Sequence, residues 1–150
     1  MAKALIGAGC FWGVEEYFRK IKGVKKTSVG YSGGNLDNPN YKDVCTGKTE
    51  HAEVVLIEYD EDNLSYAKLL NHFWRSHDPT QVNGQGLDIG TQYRSVIFYY
   101  SEEQRKVAEN SKKEFQKYNN RPVVTKINQA KEFFLAEDYH QCYIQKKNLM

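Results

Sequence analysis

Ala4-Leu5-Ile6-Gly7-Ala8-Gly9-Cys10-Phe11-Trp12-Gly13-Val14-Glu15-Glu16-Tyr17-Phe18 changes period half-way along. Ala4 to Ala8 is a short continuous apolar run, the pattern of a buried strand. From Val14 the apolar residues recur as Val14, Tyr17, Phe18 and Ile21, the stripe of an amphipathic helix. A strand that runs directly into a helix, near the start of a mixed chain, sets an α+β reading. Cys10 stands at the junction, where the first helical N–H groups have no internal partners and carry positive partial charge, so the sulfur is expected to be stabilised as thiolate. Position alone leaves a reactive cysteine and a small buried one equally open.

Further elements follow by the same criteria. Lys26 to Tyr31 and Glu53 to Tyr59 read as strands of one buried sheet, and Ser65 to His77 as a helix with Leu69, Leu70, Phe73 and Trp74 on one face. Tyr93 to Tyr100 reads as a strand. Ser101 with Gln104 forms a capping box that opens a charged helix to about Tyr118. Val123 to Ile127 is a last short strand and Ala136 to Lys147 a C-terminal helix. The expectation is a single domain over residues 1–150, an α+β two-layer sandwich of helices on a mixed sheet.

Composition excludes several classes. The 150 residues suffice for one core without metal or disulfide staples. Net charge is +2 with basic residues scattered, so nucleic acid is not expected, and the Lys146, Lys147 pair reads as a solvated tail. The cysteines, Cys10, Cys45 and Cys142, are odd in number and form no C-x-x-C, which argues against a disulfide framework and a metal site and for a reducing compartment. The run Ala4 to Trp12 is too short to span a bilayer and leads to no cleavage site. No membrane association is expected, and a cytoplasmic monomer is.

Two connections, Gly33 to Thr49 and Asp78 to Gln92, are long, polar and rich in Gly, Asn, Asp and Pro, which points to function. Gly84 to Gly90 spells G-x-G-x-x-x-G after a helix, so it fails as a dinucleotide fingerprint.

Gly9-Cys10-Phe11-Trp12-Gly13, Gly30-Tyr31-Ser32-Gly33-Gly34, Gly47-x-x-x-His51-Ala52-Glu53-Val54-Val55, Phe73-Trp74-x-x-His77-Asp78-Pro79-Thr80, Gly90-Thr91-Gln92-Tyr93-Arg94-Ser95 and Ala136-Glu137-Asp138-Tyr139-His140-Gln141 occur in that order. Together they resemble the A-type peptide methionine sulfoxide reductases, over essentially the whole chain. The resemblance implies an α+β sandwich with a ferredoxin-like core and long functional loops. It also implies reduction of methionine S-sulfoxide, free or in peptides and oxidised proteins, as repair of oxidative damage. Cys10 would attack the sulfoxide sulfur and Glu53 would act as the acid; Tyr41, Tyr93 and Asp88 would serve the polar side of the pocket. Phe11 and Trp12 would receive the substrate methyl. No cofactor or metal is implied. An external thiol, from thioredoxin, glutaredoxin or glutathione, would reduce the sulfenic acid left on Cys10.

Without that resemblance Glu53 would read as a solvated strand edge and Asp88 as a turn residue. The remaining tyrosines read as packing, and His51, His77 and His140 as structural hydrogen-bonding groups. A papain-like cysteine protease is an alternative, from Cys10 with Trp12 close behind and His140 downstream, but Phe11 stands where that family has Trp and Ala4 where it has Gln. A thiol redox sensor is a second. Many family members carry a recycling cysteine on a glycine-rich C-terminal tail, and no such tail precedes Met150. Cys142 is the possible resolving residue, with direct reduction by an external thiol as the default, and Cys45 reads as structural. Leu87 and Ile89 depart from the family pattern and are expected to alter which flanking residues are accepted.

Overall fold

In the computed structural model, which describes residues 2–148, the chain folds as β1 (Ala2–Ala8), α1 (Phe11–Arg19), β2 (Val24–Ser32), α2 (Tyr41–Cys45), β3 (Ala52–Tyr59) and α3 (Tyr66–Arg75). A two-residue hairpin, β4 (Gly84–Gln85) and β5 (Asp88–Ile89), precedes β6 (Ser95–Tyr99), α4 (Glu102–Gln116), β7 (Lys126–Gln129), β8 (Phe134–Leu135) and α5 (Tyr143–Asn148). The main sheet has the order β7-β6-β1-β3-β2-β8, antiparallel throughout except for the parallel pair β6 and β7. Its four inner strands, with α1 and α3 as crossovers, make the expected ferredoxin-like unit.

Strand alternation separates the two faces of this sheet. Ala4, Ile6, Ala8, Val29, Tyr31, Val55, Ile57, Tyr59 and Ile97 face the helices, where Val14 and Phe18 of α1, Leu69, Leu70 and Phe73 of α3, and Ala108 of α4 close the main core. The opposite face, carrying Leu5, Val54, Val96 and Phe98, is covered by the connection from β7 to β8 through Ala130 and Phe133. That strap is fastened by Ala130 N–H to the Tyr99 carbonyl, 2.9 Å, and by Ser32 Oγ to the Glu132 carbonyl, 2.9 Å. Burial on both faces explains why the central strands read as continuous apolar runs.

Three expected elements shift. The last strand begins at Lys126 rather than Val123, because Val123 N–H goes to Gln116 Oε1 and Val124 N–H to the Pro79 carbonyl. The strand expected from Tyr93 begins at Ser95, since Thr91–Tyr93 is a 3-10 turn. The single helix expected over Ala136 to Lys147 is a 3-10 turn, Asp138–His140, followed by α5. Cys142 at φ 51 breaks the helical path, while the Gln141 amide hydrogen-bonds to both backbone groups of Val29. Ser101 does cap α4, but Gln104 Oε1 takes the Tyr100 N–H and its Nε2 donates to the Lys3 carbonyl, tying the cap to β1.

Gly30 marks the tightest crossing in the sheet. A methyl there would collide with the Phe134 carbonyl oxygen and stand 2.6 Å from the Phe133 ring. Gly30→Ala should therefore lower unfolding stability by about 1–3 kcal/mol in urea with an unchanged m value; wild-type stability would show that β8 yields freely.

Candidate active site

Cys10 is the N-cap of α1, and its carbonyl accepts the Val14 N–H at 3.3 Å. Gly9 before it holds φ 107, a conformation that a side chain would strain, and the Gln85 side chain fills the space where its Cβ would stand. The half-buried sulfur faces the N–H groups of Trp12 and Gly13, as expected from its place at the helix start. Those donors do not win. Burial raises the Cys10 thiol more than the Trp12 N–H lowers it, and the nearby charges of Glu53 and Asp88 raise it further, to about 11. The expected resting thiolate is thus corrected to a thiol.

Glu53, the second residue of β3, is 1% exposed. Its Oε1 accepts the Phe11 N–H and its Oε2 the Gln92 amide, both at 3.2 Å. Burial outweighs these two donors and, with the charge of Asp88, pushes the carboxyl up to about 7. Instead of marking a solvated edge, Glu53 is a buried acid beside the nucleophile's helix terminus.

The Asn40–Asp43 capping box starts α2 at Tyr41. The Tyr41 N–H reaches Glu137 Oε2 at 3.1 Å, while Glu137 Oε1 accepts the Tyr31 hydroxyl at 2.9 Å. Tyr93, at the end of the 3-10 turn, brings its hydroxyl beside that of Tyr41. Burial raises both phenols, Tyr93 to about 12, so both remain hydrogen-bond donors. Asp88 sits exposed on the hairpin and is felt at both Cys10 and Glu53 as negative charge.

The opposite side is aromatic. The Trp12 indole N–H donates to His140 Nδ1 at 2.8 Å, and its ring stacks on Tyr143 at 3.9 Å between centroids. Phe11, also 1% exposed, lies under Tyr31, Tyr41 and His140, so it backs this wall while Trp12 keeps an open face. The other histidines are hydrogen-bonded as expected. His51 takes the Gly34 N–H and bonds the Leu36 carbonyl; His77 joins Phe73 to Ser95.

Cys142, just before α5, lies against α1 at Glu15 rather than at Cys10. Its N–H goes to Glu15 Oε1 at 2.7 Å and its Sγ to Glu15 Oε2 at 3.8 Å, more than a helical turn beyond Cys10. Sequence reasoning passed over Gln92, Glu137 and Tyr31, all inside quoted motifs, and read Cys45 as structural although Gln92 Nε2 reaches its sulfur at 3.5 Å. Among the described residues no group of three or more His, Cys, Asp or Glu is placed to hold a metal, and no helix is long and apolar enough to cross a membrane.

Residues 2–149 match the family described as peptide methionine sulfoxide reductase. The chain belongs to this family. A relative named peptide methionine sulfoxide reductase MsrA, from Methanothermobacter thermautotrophicus, is 54% identical over 147 residues, 96% of this chain and 86% of its own length. The crystal structure of reduced Mxr1 from Saccharomyces cerevisiae is 37% identical, with TM-score 0.94 over 99% of this chain and 87% of that one. Mxr1 in complex with Trx2 is 25% identical, with TM-score 0.68 over 95% of this chain and 84% of that one.

The buried carboxyl of this reductase-family site has a measurable cost. The folded Glu53 binds its proton more tightly than the unfolded one, so the stability it contributes is present below about pH 4.5 and is lost as pH rises through about 7. Glu53→Gln removes that loss. Its stability relative to wild type should climb by on the order of 3 kcal/mol across this window in denaturant titrations; a constant difference would mean that Glu53 ionises freely. His77, lowered to about 4 by burial, acts in both proteins and cancels.

Proposed function

We propose that this protein reduces methionine S-sulfoxide, free or in oxidised peptides and proteins, through Cys10, Glu53, Tyr41, Tyr93 and Asp88. The observation that carries this reading is the pairing of a buried carboxyl poised near 7 with a thiol at a helix N-cap, joined through the Phe11 N–H. A sulfoxide oxygen leaves only when protonated, and a thiol attacks only when ionised. One proton serves both needs. It passes from Cys10 to the Glu53 carboxylate and from Glu53 to the substrate oxygen as the Cys10 sulfur bonds to the sulfoxide sulfur. The protonated oxygen departs as the S–O bond breaks, and water then attacks the Cys10 sulfur and breaks its bond to the substrate sulfur, which releases methionine and leaves a sulfenic acid on Cys10.

Tyr41 and Tyr93 are protonated donors for the oxygen, and Asp88 lines the same polar side. Trp12, backed by Phe11, offers the apolar face for the methyl group, so the two sulfoxide epimers meet different halves of the pocket. A papain-like mechanism would need an imidazole on the nucleophile, whereas His140 Nδ1 is taken by Trp12 and the group beside Cys10 is a carboxyl. Turnover, absent from a sensor, separates the remaining alternative. Leu87 is fully exposed and Ile89 largely so, a placement that suits contact with residues flanking the oxidised methionine.

An external thiol supplies the electrons that return the oxidised Cys10 to a thiol, with water as the by-product. The complex of Mxr1 with Trx2 supports a thioredoxin-type donor, with glutaredoxin or glutathione as simpler equivalents. A single domain over 1–150, acting as a cytoplasmic monomer in repair of oxidative damage without a cofactor, metal, nucleic acid or membrane, completes the reading.

The productive state holds one proton on the Cys10–Glu53 pair, so single-turnover kcat/KM should rise through about pH 7 and stay level well into the alkaline range. Glu53→Gln should lower the rate of methionine release by about 10²–10³ and abolish that rise. Wild-type rates in Glu53→Gln would overturn the acid role. Methionine release by Cys10→Ser would overturn the function.

A further inference from the structure

Cys45 and Cys10 stand on either side of one small polar bridge. Tyr41 and Cys45, four residues apart in α2, share a helix face, which places the Tyr41 hydroxyl near the Cys45 sulfur. Gln92 Nε2 donates both to that sulfur, at 3.5 Å, and to Glu53 Oε2, at 3.2 Å, while Glu53 Oε1 holds the N–H of the residue that follows Cys10. Cys45 therefore belongs to the polar wall of the pocket, the wall assigned above to the departing oxygen. It is also the exposed cysteine, whereas Cys10 and Cys142 are half-buried. Cys142 has a competing attachment: Glu15 holds both its N–H and its thiol, with the Trp12–Tyr143 stack beside it.

We infer that Cys45, rather than Cys142, resolves the oxidised Cys10. The inference rests on the reductase reading and extends it to recycling. The Cys45 sulfur attacks the sulfenic sulfur of Cys10; the S–S bond forms, the S–O bond breaks, and the hydroxyl leaves with the Cys45 proton as water. A dithiol reductant then attacks the exposed Cys45 sulfur, returns both cysteines to thiols and departs as a disulfide. Bridging requires the Cα atoms to come within about 7 Å, so α2 must move toward α1 and displace the Gln92 amide. Access follows from the same geometry. A protein reductant need not enter the pocket, because its target cysteine is exposed at the end of α2.

The test is one turnover of the wild-type protein on methionine S-sulfoxide without added thiol, read by methionine release, thiol titration and peptide mapping. The expected result is about one methionine per chain, loss of two of the three thiols, and a Cys10–Cys45 cross-linked peptide, which Cys142→Ser also forms. Cys45→Ser should instead accumulate a Cys10 sulfenic acid that dimedone traps. A lasting sulfenic acid in the wild-type protein, or a Cys10–Cys142 peptide, overturns the assignment of Cys45. Absence of methionine overturns the reductase reading itself. The wild-type map decides the matter even where Cys45→Ser folds poorly.

Discussion

The hydrogen bond from the Phe11 N–H to the Glu53 carboxyl joins the start of the first helix to the start of the central strand, and the site is organised around it. It fixes the distance between a nucleophile and an acid that arise from different elements. It also places a carboxyl where water is excluded, with only two donors to offset the burial. The outcome is a balance. Helix-terminus N–H groups favour negative charge on the sulfur, but burial, with the charge of Glu53 added to it, disfavours it more, so the pair holds one proton in preference to none. Neither residue has its chemistry alone.

Glu137 does for the aromatic side what Glu53 does for the polar side. One oxygen anchors the backbone of Tyr41 and the other the hydroxyl of Tyr31, so a single carboxylate joins α2 to β2. Three residues on, His140 holds the indole of Trp12. The turn that carries both is short because Cys142 takes a left-handed backbone and Gln141 turns back to pair with the edge of β2. A continuous helix there would take the Gln141 amide away from Val29, the pairing that ties this turn to β2.

Periodicity made the core legible because the central strands are buried on both faces and the long helices are buried on one. Val54, Val55 and Ile57 announce their strand by composition alone, and Leu69, Leu70, Phe73 and Trp74 their helix by spacing. Short elements were not legible. The five residues of α2 and the two-residue strands β4, β5 and β8 are too brief for any period to develop, and they are held by side chains such as Asn40, Asp43 and Gln81. The positions of Cys10 and Glu53 could be read from the motifs. The ionisation of the thiol could not, because it is decided first by the depth to which folding buries it and then by a carboxyl 43 positions away.

The strap from β7 to β8 runs beneath the sheet from one edge strand to the other, and the chain that follows it supplies Glu137, His140 and Tyr143. Synthesis proceeds from the N-terminus, and domains fold as units once their long-range contacts are available. On the ribosome, therefore, Cys10, Glu53 and both tyrosines emerge before any of the residues that hold the aromatic wall. The nucleophile is made early and enclosed late. A chain arrested short of Glu137 would carry the sulfur without the contacts that position Trp12 and Tyr41, so the emergence of Glu137 to Tyr143 is the step that finishes the pocket.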